Sequence, residues 1–442
     1  MKNKLIKILI ICALCLWVII FATIKWLSAD EPLSKESQVL LDQVQMYDPD
    51  LQEHPYFFEL GFDARNDADQ ILLGQLQYHS DWSNFIQHQL GEEGKNNNQD
   101  LETFRGQFFS QKSIDMFKAM QAVAKEQGLS YQLYSQNRAE LQRLYASQGM
   151  LNARFQRLLN APQSDKVLLL TAQAKIPDFI LIIRMHHLYL SHLAFKNDIS
   201  GIVKYIEKLE QMNTHVPLID KMIQLSMLSD SLNILNDLNR KTPKVQFQIP
   251  RLTPPQLSVR YNFADEIART ESILVKFNDD QVFAKNIDHI FENKNSSSIK
   301  LWLYYSFVHL FFLKNTSLNS YAEPISSFVS LSEMENNQFK QAIQKDLNIQ
   351  QNRAPFKNYL GYKIVDVAMP AWKSYVVSPR FVNQKIQILN VLVQNRQFDL
   401  KQLNQNKEGY EYYRTATELC IKSPDPQTKE EDWKRYKSCL KI

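Results

Sequence analysis

The sequence predicts an all-α protein, in which an N-terminal transmembrane helix is followed by an antiparallel array, or superhelix, of α-helices. Three observations support this prediction. The chain begins with a long uncharged apolar run, glycine is scarce (10 of 442 residues, none between Gly201 and Gly361), and apolar residues recur at steps of three and four. Strands and tight hairpins use glycine freely, whereas long helices avoid it. Helical periodicity without glycine therefore favours helices throughout.

Residues 1 to 27 are predicted to be a transmembrane signal anchor. No charge occurs from Ile8 to Ile24, and residues 5 to 27 extend the apolar run at both ends. A helix of about 20 apolar residues crosses the hydrocarbon layer of a bilayer. A removed signal peptide is the alternative, but Leu27 is too large for a good cleavage site before Ala29. We therefore expect the anchor to stay on the protein.

The lysines around this run predict the orientation of the anchor. Lys2, Lys4 and Lys7 precede the apolar core, and only Lys25 follows it closely. The positive-inside rule then places the N-terminus in the cytoplasm and residues 28 to 442 on the other side of the membrane. A second apolar run, from Leu301 to Leu313, has 13 residues and is too short to span, so we interpret it as a core helix. The prediction is a single-pass protein.

Residues 28 to 62 are predicted to be a stalk that becomes a docked extended segment, because they begin polar and end with Tyr56, Phe57, Phe58 and Phe62. Residues 63 to 240 form the predicted N-terminal helical lobe. The acidic stretch 63 to 69 lacks the glycine and glutamate of a calcium loop, so Asp67 or Asp69 is interpreted as a helix cap.

The centre of the predicted N-terminal lobe is a helix over Phe179 to Phe195, which is apolar nearly all round. A turn at Asn197 and Asp198 precedes a helix from about Ile199 to Met212, and Pro217 opens a third. The third helix carries apolar residues at steps of three and four, which predict a buried seam: Leu218, Met222, Leu225, Leu228, Leu232, Leu235 and Leu238.

Residues 241 to 255 contain four prolines and are predicted to be an extended connector between two helical lobes. Residues 256 to 442 form the predicted C-terminal lobe. Thr253 and Gln256 match a capping box for its first helix. A later helix is expected to start at Ser378 and Pro379, with the stripe Val382, Ile386, Leu389 and Val393.

Charge and motif content exclude several classes of function. The chain has 51 basic and 47 acidic residues, and four of the basic ones lie in the anchor, which leaves 47 against 47 for the remainder. A neutral body does not favour nucleic-acid binding. The sequence has no nucleophile elbow, phosphate-binding loop, dinucleotide fingerprint or H-E-x-x-H zinc motif. We therefore expect no cofactor, and a non-catalytic protein is favoured over an enzyme.

Arg184, His186, His187 and His192 form the one constellation with metal-binding residue types. His187 and His192 are five residues apart, so they face about 140° apart on a helix and do not share a face. A zinc ion would need a third ligand from elsewhere. A histidine on an apolar helix is more often a core residue hydrogen-bonded to a carbonyl, and this interpretation is favoured.

The four cysteines form two pairs. Cys12 and Cys15 lie in the predicted anchor, where they count as small apolar residues. Cys420 and Cys439 lie outside it, and an oxidising compartment favours a disulfide between them. We expect a helix from Lys429 to Cys439 to fold back along the helix that precedes it. The alternative is a pair of buried free thiols.

The order of features resembles a family of single-anchor inner-membrane proteins of Gram-negative bacteria, for which no activity is established. The resemblance rests on five short segments: Glu31-Pro32-Leu33, Tyr56 to Ala64, Leu218 to Met222, Leu252-Thr253-Pro254 and Asn358 to Gly361. It implies a bacterial inner-membrane location with a helical periplasmic domain, and it implies nothing about mechanism. Relatives of this family carry Asn-Pro-x-Gly where this chain has Asn358-Tyr359-Leu360-Gly361.

The function that the sequence favours is non-catalytic binding or tethering of other envelope proteins at the inner membrane. The alternative is an envelope enzyme or a small-ligand-binding protein, whose residues converge only in three dimensions. The two differ in the site that they need. A deep cleft lined by buried ionisable groups would favour the alternative, and a broad groove or apolar patch would favour protein binding.

Overall fold

The computed structural model of the chain describes residues 2–51, 54–89, 101–171, 174–212, 215–243, 245–278, 312–344, 357–358, 362, 372–394, 397–406, 409–423 and 438–442. Within these ranges, the side chains of residues 2–13, 88–89, 275–278 and 344 are not described. The described chain is mostly helical, so the all-α fold class is confirmed. The predicted core helix at 301 to 313 lies outside these residues except for Phe312 and Leu313.

The helices of the first half of the chain are α1 (Lys2–Leu27), α2 (Lys35–Leu41), α3 (Pro55–Leu60), α4 (Gln70–Gln89), α5 (Gln111–Gln127), α6 (Tyr131–Gln136), α7 (Arg138–Ser147), α8 (Gly149–Leu159), α9 (Phe179–Phe195), α10 (Ile199–Gln211) and α11 (Leu218–Lys241). Those of the second half are α12 (Pro254–Leu257), α13 (Arg260–Asn278), α14 (Lys314–Glu333), α15 (Asn336–Gln344), α16 (Trp372–Gln394) and α17 (Leu400–Leu403). Among the residues whose side chains are described, which in α1 begin at Leu14, no helix is both long enough and apolar enough to cross a membrane.

Five short strands occur among the described residues: β1 (Val44–Gln45), β2 (Val167–Leu168), β3 (Tyr412–Arg414), β4 (Glu418–Ile421) and β5 (Cys439–Lys441). β1 and β2 pair in parallel, and β3, β4 and β5 form an antiparallel sheet in that order. The sequence did not predict this sheet. The predicted helix from Lys429 to Cys439 is wrong at its end, because Cys439 lies in a strand, and residues 424 to 437 lie outside the described chain.

The predicted stalk is wrong for the residues after the anchor, because the chain is docked from Asp30 onward. The Asp30 carboxylate accepts hydrogen bonds from the backbone N–H groups of Asn315 and Thr316, at 2.8 and 2.9 Å. These groups lie in the first turn of α14, where N–H groups lack helical partners. Further on, α3 replaces the predicted extended segment, and Phe57 and Phe62 are fully buried as expected.

The predicted helices of the N-terminal lobe are confirmed at α9, α10 and α11. The seam of α11 is buried from Leu218 to Leu238, with Met222 partly buried. Asp69 caps α4, since its carboxylate accepts from the N–H groups of Ile71 and Leu72, both at 2.9 Å. Pro217 is the N-cap residue of α11 rather than a residue of its first turn. Local periodicity and turn chemistry were therefore sufficient to predict these three helices.

The connector from 241 to 255 is largely without helix or strand, as predicted, but the hydrophobic cores do not divide there. One buried cluster combines Leu141, Leu188 and Leu228 with Ile386 and Leu440 from the end of the chain. The connector is held by asparagines of α16. Asn390 exchanges two hydrogen bonds with the backbone of Ile249, and Asn383 accepts from the N–H of Leu252. The buried amide side chains of α16 thus form hydrogen bonds with the backbone of the connector, as a neighbouring strand would.

Two further core clusters lie beside the first. One packs α2, α13 and α14 against the start of α16, and the other packs α3 and α4 against β2 and α13. α16 begins at Trp372, so the predicted start at Ser378 is wrong and Pro379 lies inside the helix. Its predicted stripe from Val382 to Val393 is buried. α16 contributes its first half to one core and its second half to another.

Candidate functional site

One set of metal-binding side chains among the described residues is a histidine cluster, defined here as His186, His187 and Asp230. The two histidines lie on α9, which is apolar nearly all round and is therefore buried at the centre of the largest core. His186 has no exposed surface, and His187 is 9 % exposed. Asp230 comes from α11, which packs directly against α9. One ligand atom from each of the three residues lies within 4.8 Å of the other two.

Each histidine of the cluster is oriented by a tyrosine. His186 Nδ1 is 2.7 Å from the hydroxyl of Tyr205 on α10, and His187 Nδ1 is 3.1 Å from the hydroxyl of Tyr134 on α6. Both tyrosines are buried. The Nε2 atom of His186 is buried and has no hydrogen-bond partner among the described residues. A buried ring nitrogen without a partner is uncommon and asks for a physical reason.

Burial keeps the histidine cluster close to neutral. It lowers the pKa of His187 to about 4 and that of His186 well below its ordinary value. Burial raises the pKa of Asp230 to about 7, against the opposing charge of Lys385 on α16. Lys385 itself donates hydrogen bonds to Ser229 and Asn233. Neutral imidazoles are the form that coordinates metals.

Of the four residues singled out in the sequence, the structure keeps His186 and His187 together. It places Arg184 and His192 against other neighbours. Arg184 lies over the ring of Phe109, with 5.9 Å between the guanidinium carbon and the ring centroid. His192 stacks on Tyr145, with ring centroids 3.9 Å apart. His187 and His192 thus face different neighbours, as their spacing predicted. The two buried histidines are core residues, but their hydrogen-bond partners are tyrosine hydroxyls and not the expected carbonyl groups. Asp230 is the neighbour that the sequence did not indicate.

A second buried polar group is the carboxyl cluster, defined as Glu59, Asp220, Asp265 and Arg269. Glu59 lies on α3, Asp220 in the first turn of α11, and the other two on α13. Arg269 Nε is 2.9 Å from Asp265 Oδ2 in a pair four residues apart. Glu59, Asp220 and Asp265 are all at most 6 % exposed. The Arg269 charge acts on two of these three carboxyl groups, Asp265 and Asp220.

The carboxyl cluster must retain protons. Burial raises the pKa of Glu59 to about 7, and burial with the charge of Glu59 raises that of Asp220 well above its ordinary value. The charges of these two carboxyl groups oppose each other, and both Asp220 oxygens are buried without a hydrogen-bond partner among the described residues, so a protonated form is favoured. Burial also raises the pKa of Asp265 to about 6, with Arg269 opposing it. This arrangement suits a structural link between α3 and α11.

A small cavity lies between α10, α11 and α12. It is lined by Glu210, Lys221 and Gln256 together with apolar side chains, and its volume is about 30 Å³. Burial lowers the pKa of Lys221 to about 7 and raises that of Glu210 to about 8. The Lys221 ammonium donates to the backbone carbonyl of Ser258. A space of this size holds about one water molecule and excludes a substrate.

Cys420 and Cys439 are joined by a disulfide across β4 and β5. They are directly opposite each other in the antiparallel pair, with Cα atoms 4.1 Å apart. The setting is therefore a strand pair and not the predicted pair of helices. Glu418 lies close to both sulfurs. Sulfurs bonded to each other are not thiolates, so these three residues are not a metal site in the oxidised protein.

Sequence reasoning missed Asp230 and the carboxyl cluster. Asp230 looks like one of several polar residues on a helix with a clear apolar seam, and no local pattern marks it. Glu59 and Asp220 each lie in a segment rich in apolar residues, which is a weak signal of a buried carboxyl group. Glu59 and Asp220 lie more than 100 residues apart in the chain, so their spacing does not connect them.

Comparisons with known proteins give no name to this fold or site. No family model matches the chain, and no curated protein and no solved structure matches it. The function therefore has to be argued from the residues themselves.

Proposed function

We propose that the chain is a single-pass protein of the bacterial inner membrane, whose helical body lies in the periplasm and binds or tethers other envelope proteins without catalysis. Residues 5 to 27 anchor it, and the N-terminus is cytoplasmic.

The single observation that carries this proposal is the surface of α1. From Leu14 to Trp26 every side chain is exposed, and only Thr23 and Lys25 among them are polar. Large side chains such as Trp17 and Ile19 are more than half exposed. A helix of 26 residues measures about 39 Å. Apolar side chains exposed on all sides of a helix are unfavourable in water and suit a lipid environment.

Two observations support the periplasm as the compartment of residues 28 to 442. The Cys420–Cys439 disulfide forms and persists in oxidising compartments, and the cytoplasm keeps thiols reduced. The three lysines before the apolar core, against one close behind it, favour a cytoplasmic N-terminus. Both arguments give the same side of the membrane for residues 28 to 442.

The binding part of the proposal rests on the outer face of α4. Leu72, Leu76 and Ile86 are 53, 44 and 42 % exposed. At 100° per residue these three positions lie within about 80° of one another around the helix axis. They form an exposed apolar stripe, a surface feature typical of protein contacts.

Fusions to a phosphatase that is active only after export test the topology. A fusion after residue 60 should be active, and full-length protein should stay in the membrane fraction after alkaline washing. The matched control replaces residues 1 to 27 by a cleavable export signal, and it should yield a soluble periplasmic protein. An inactive fusion, or full-length protein in the soluble fraction, would refute the proposed anchor.

Site-specific photocrosslinking in cells tests the binding face. A photoreactive amino acid at Leu76 should capture a discrete envelope protein, and the same residue at Lys118 on the exposed face of α5 should not. A second substitution, Leu72→Asp, should abolish the adduct at position 76 while leaving the folded protein intact. An adduct that survives L72D, or none at positions 72, 76 and 86, counts against this face.

The alternative function, an enzyme or small-ligand binder, is favoured by one observation. The histidine cluster brings two imidazoles and a carboxylate together from separate helices. This observation indicates an ion-binding site rather than a substrate pocket, and it has its own test below.

A further inference from the structure

We propose that His186, His187 and Asp230 bind one divalent transition-metal ion, of which Zn²⁺ fits the donor atoms well. This site is independent of the proposed tethering function and goes beyond it. The sequence favoured core histidines, and the metal interpretation depends on the carboxylate that only the fold supplies.

The donor set and its spacing support the proposal. Zinc is bound by histidine nitrogens and carboxylate oxygens at about 2.0–2.2 Å, usually with tetrahedral geometry. Ligand atoms of such an ion are roughly 3.4 Å apart. The three candidate atoms already lie within 4.8 Å of one another, so a closure of roughly 1 Å would complete the set. Two imidazoles with one carboxylate leave a fourth position for water.

The surroundings of the histidines match those of metal ligands. A coordinating imidazole usually uses its second nitrogen to donate a hydrogen bond that fixes the ring. Here the Nδ1 atoms of His186 and His187 face the hydroxyls of Tyr205 and Tyr134. If each Nδ1 carries the proton, each Nε2 presents a lone pair. The buried Nε2 of His186, which lacks a partner among the described residues, is then the coordinating atom.

Lys385 is the group that opposes a cation at this site. Its charge acts on Asp230, whereas its hydrogen bonds go to Ser229 and Asn233. The simpler alternative is a charge pair between Asp230 and Lys385, with both histidines as ordinary core residues. The two interpretations differ in what zinc does, because only a metal site gains stability from the ion.

Zinc titration of the full-length chain tests the proposal directly. Protein purified in detergent is treated with a chelator, dialysed, and titrated with Zn²⁺ while bound metal and melting temperature are measured. We expect one ion per chain and a higher melting temperature, because an ion that binds only the folded state stabilises it. Bound Co²⁺ should show the visible absorption of a tetrahedral site.

Three variants assign the ligands. Asp230→Asn and His187→Gln should each weaken zinc binding by more than about 100-fold, since loss of a residue that only orients a ligand already costs about 10–100-fold. His192→Gln is the matched control, because it removes an imidazole from the same helix outside the cluster, and its affinity should equal that of the wild type. No zinc bound by the wild type, or equal affinity in all three variants, would overturn the proposal.

Two milder variants keep the test decisive if a ligand variant fails to fold. Tyr134→Phe leaves all three ligands in place and removes the hydroxyl that orients His187, so zinc affinity should fall by roughly 10–100-fold. Lys385→Met removes the opposing charge, so affinity should rise. An unchanged affinity in Y134F, or a fall in K385M, would argue for the charge-pair alternative and against the metal site.

Discussion

The histidine cluster and the carboxyl cluster both include residues of α11, and both are buried, yet burial shifts the pKa values of their main groups in opposite directions. It lowers the pKa of His187 to about 4 and raises that of Glu59 to about 7. The physical cause is the same, since burial disfavours whichever form is charged. For an imidazole the charged form is the protonated one, and for a carboxyl group it is the deprotonated one.

The consequence is that stability depends on pH in opposite directions at the two clusters. Unfolded His187 binds a proton near pH 6.5 and the folded form does not, so its contribution to stability is lost as the pH falls from about 6.5 to about 4. Folded Glu59 keeps a proton that the unfolded form releases near pH 4.5, so stability is lost as the pH rises from about 4.5 to about 7. Burial of polar groups therefore has no fixed sign in its pH effect.

The largest expected effect comes from breaking the helix that the two clusters share. Leu228→Asp places a charge at a position that is 2 % exposed, between the clusters on α11. An unpaired buried charge costs several kcal/mol, so we expect loss of folding, measured by circular dichroism and expression. Ile219→Asp on the same helix is the control, since Ile219 is 48 % exposed. A fully helical L228D variant with an unchanged melting temperature would contradict the buried seam.

Removing the disulfide should destabilise the protein without altering either pH dependence. Cys420 and Cys439 are 19 residues apart, and closing a loop of this size contributes roughly 3 kcal/mol in the chain-entropy model. Denaturant unfolding of Cys420→Ser/Cys439→Ser at several pH values measures both effects. Mass spectrometry of the wild type without reductant should find these two thiols unavailable for alkylation. Two alkylatable thiols outside α1 would show that the bond is absent.

Glu59→Gln should reduce the loss of stability that the wild type shows as the pH rises from about 4.5 to about 7. Gln is neutral at every pH, and its amide can donate to Asp220, so the variant should gain on the order of 2 kcal/mol relative to the wild type between pH 4.5 and 7. Urea unfolding at both pH values measures this difference. Glu126→Gln, at an exposed position on α5, should show no such change. A curve for E59Q that runs parallel to that of the wild type would refute a protonated Glu59.

His187→Gln should reduce the loss of stability that the wild type shows as the pH falls from about 6.5 to about 4. Its effect is the smallest of the four predicted effects. The groups near this side chain are His186, Asp230 and the Tyr134 hydroxyl, and the charge of Lys385 acts on Asp230. We expect the variant to lose less stability than the wild type between pH 6.5 and 4, by on the order of 1 kcal/mol, in unfolding measured with a chelator present. His192→Gln should not change the slope as much, and equal slopes in all three proteins would refute a neutral His187.

Sequence reasoning succeeded where the signal is local. The bounds of α9 and α10 follow from an apolar run and from the turn at Asn197 and Asp198, where Asp198 caps α10 by accepting from the N–H of Gly201. The seam of α11 follows from steps of three and four. Such features depend on neighbours within about one helical turn, and the pattern therefore contains them.

The sheet of β3, β4 and β5 shows where local reasoning fails. Each strand has three or four residues, and β4 pairs with segments on both sides of it in the chain. Strand preference depends on the pairing partner and the covering surface more than on the residues of the strand. The sequence therefore suggested the cysteine pair from its compartment and misjudged the secondary structure around it.

By itself, the sequence determined that the chain is mostly helical, which faces of α9 and α11 are buried, and that a long apolar run begins the protein. Only the tertiary structure decided which buried polar groups meet. A hydrophobic period specifies the inward face of a helix, but it carries no information on which element packs against that face. Glu59 reaches Asp220 and His186 reaches Asp230 across helix contacts, and a buried polar group takes its pKa and its chemistry from such contacts.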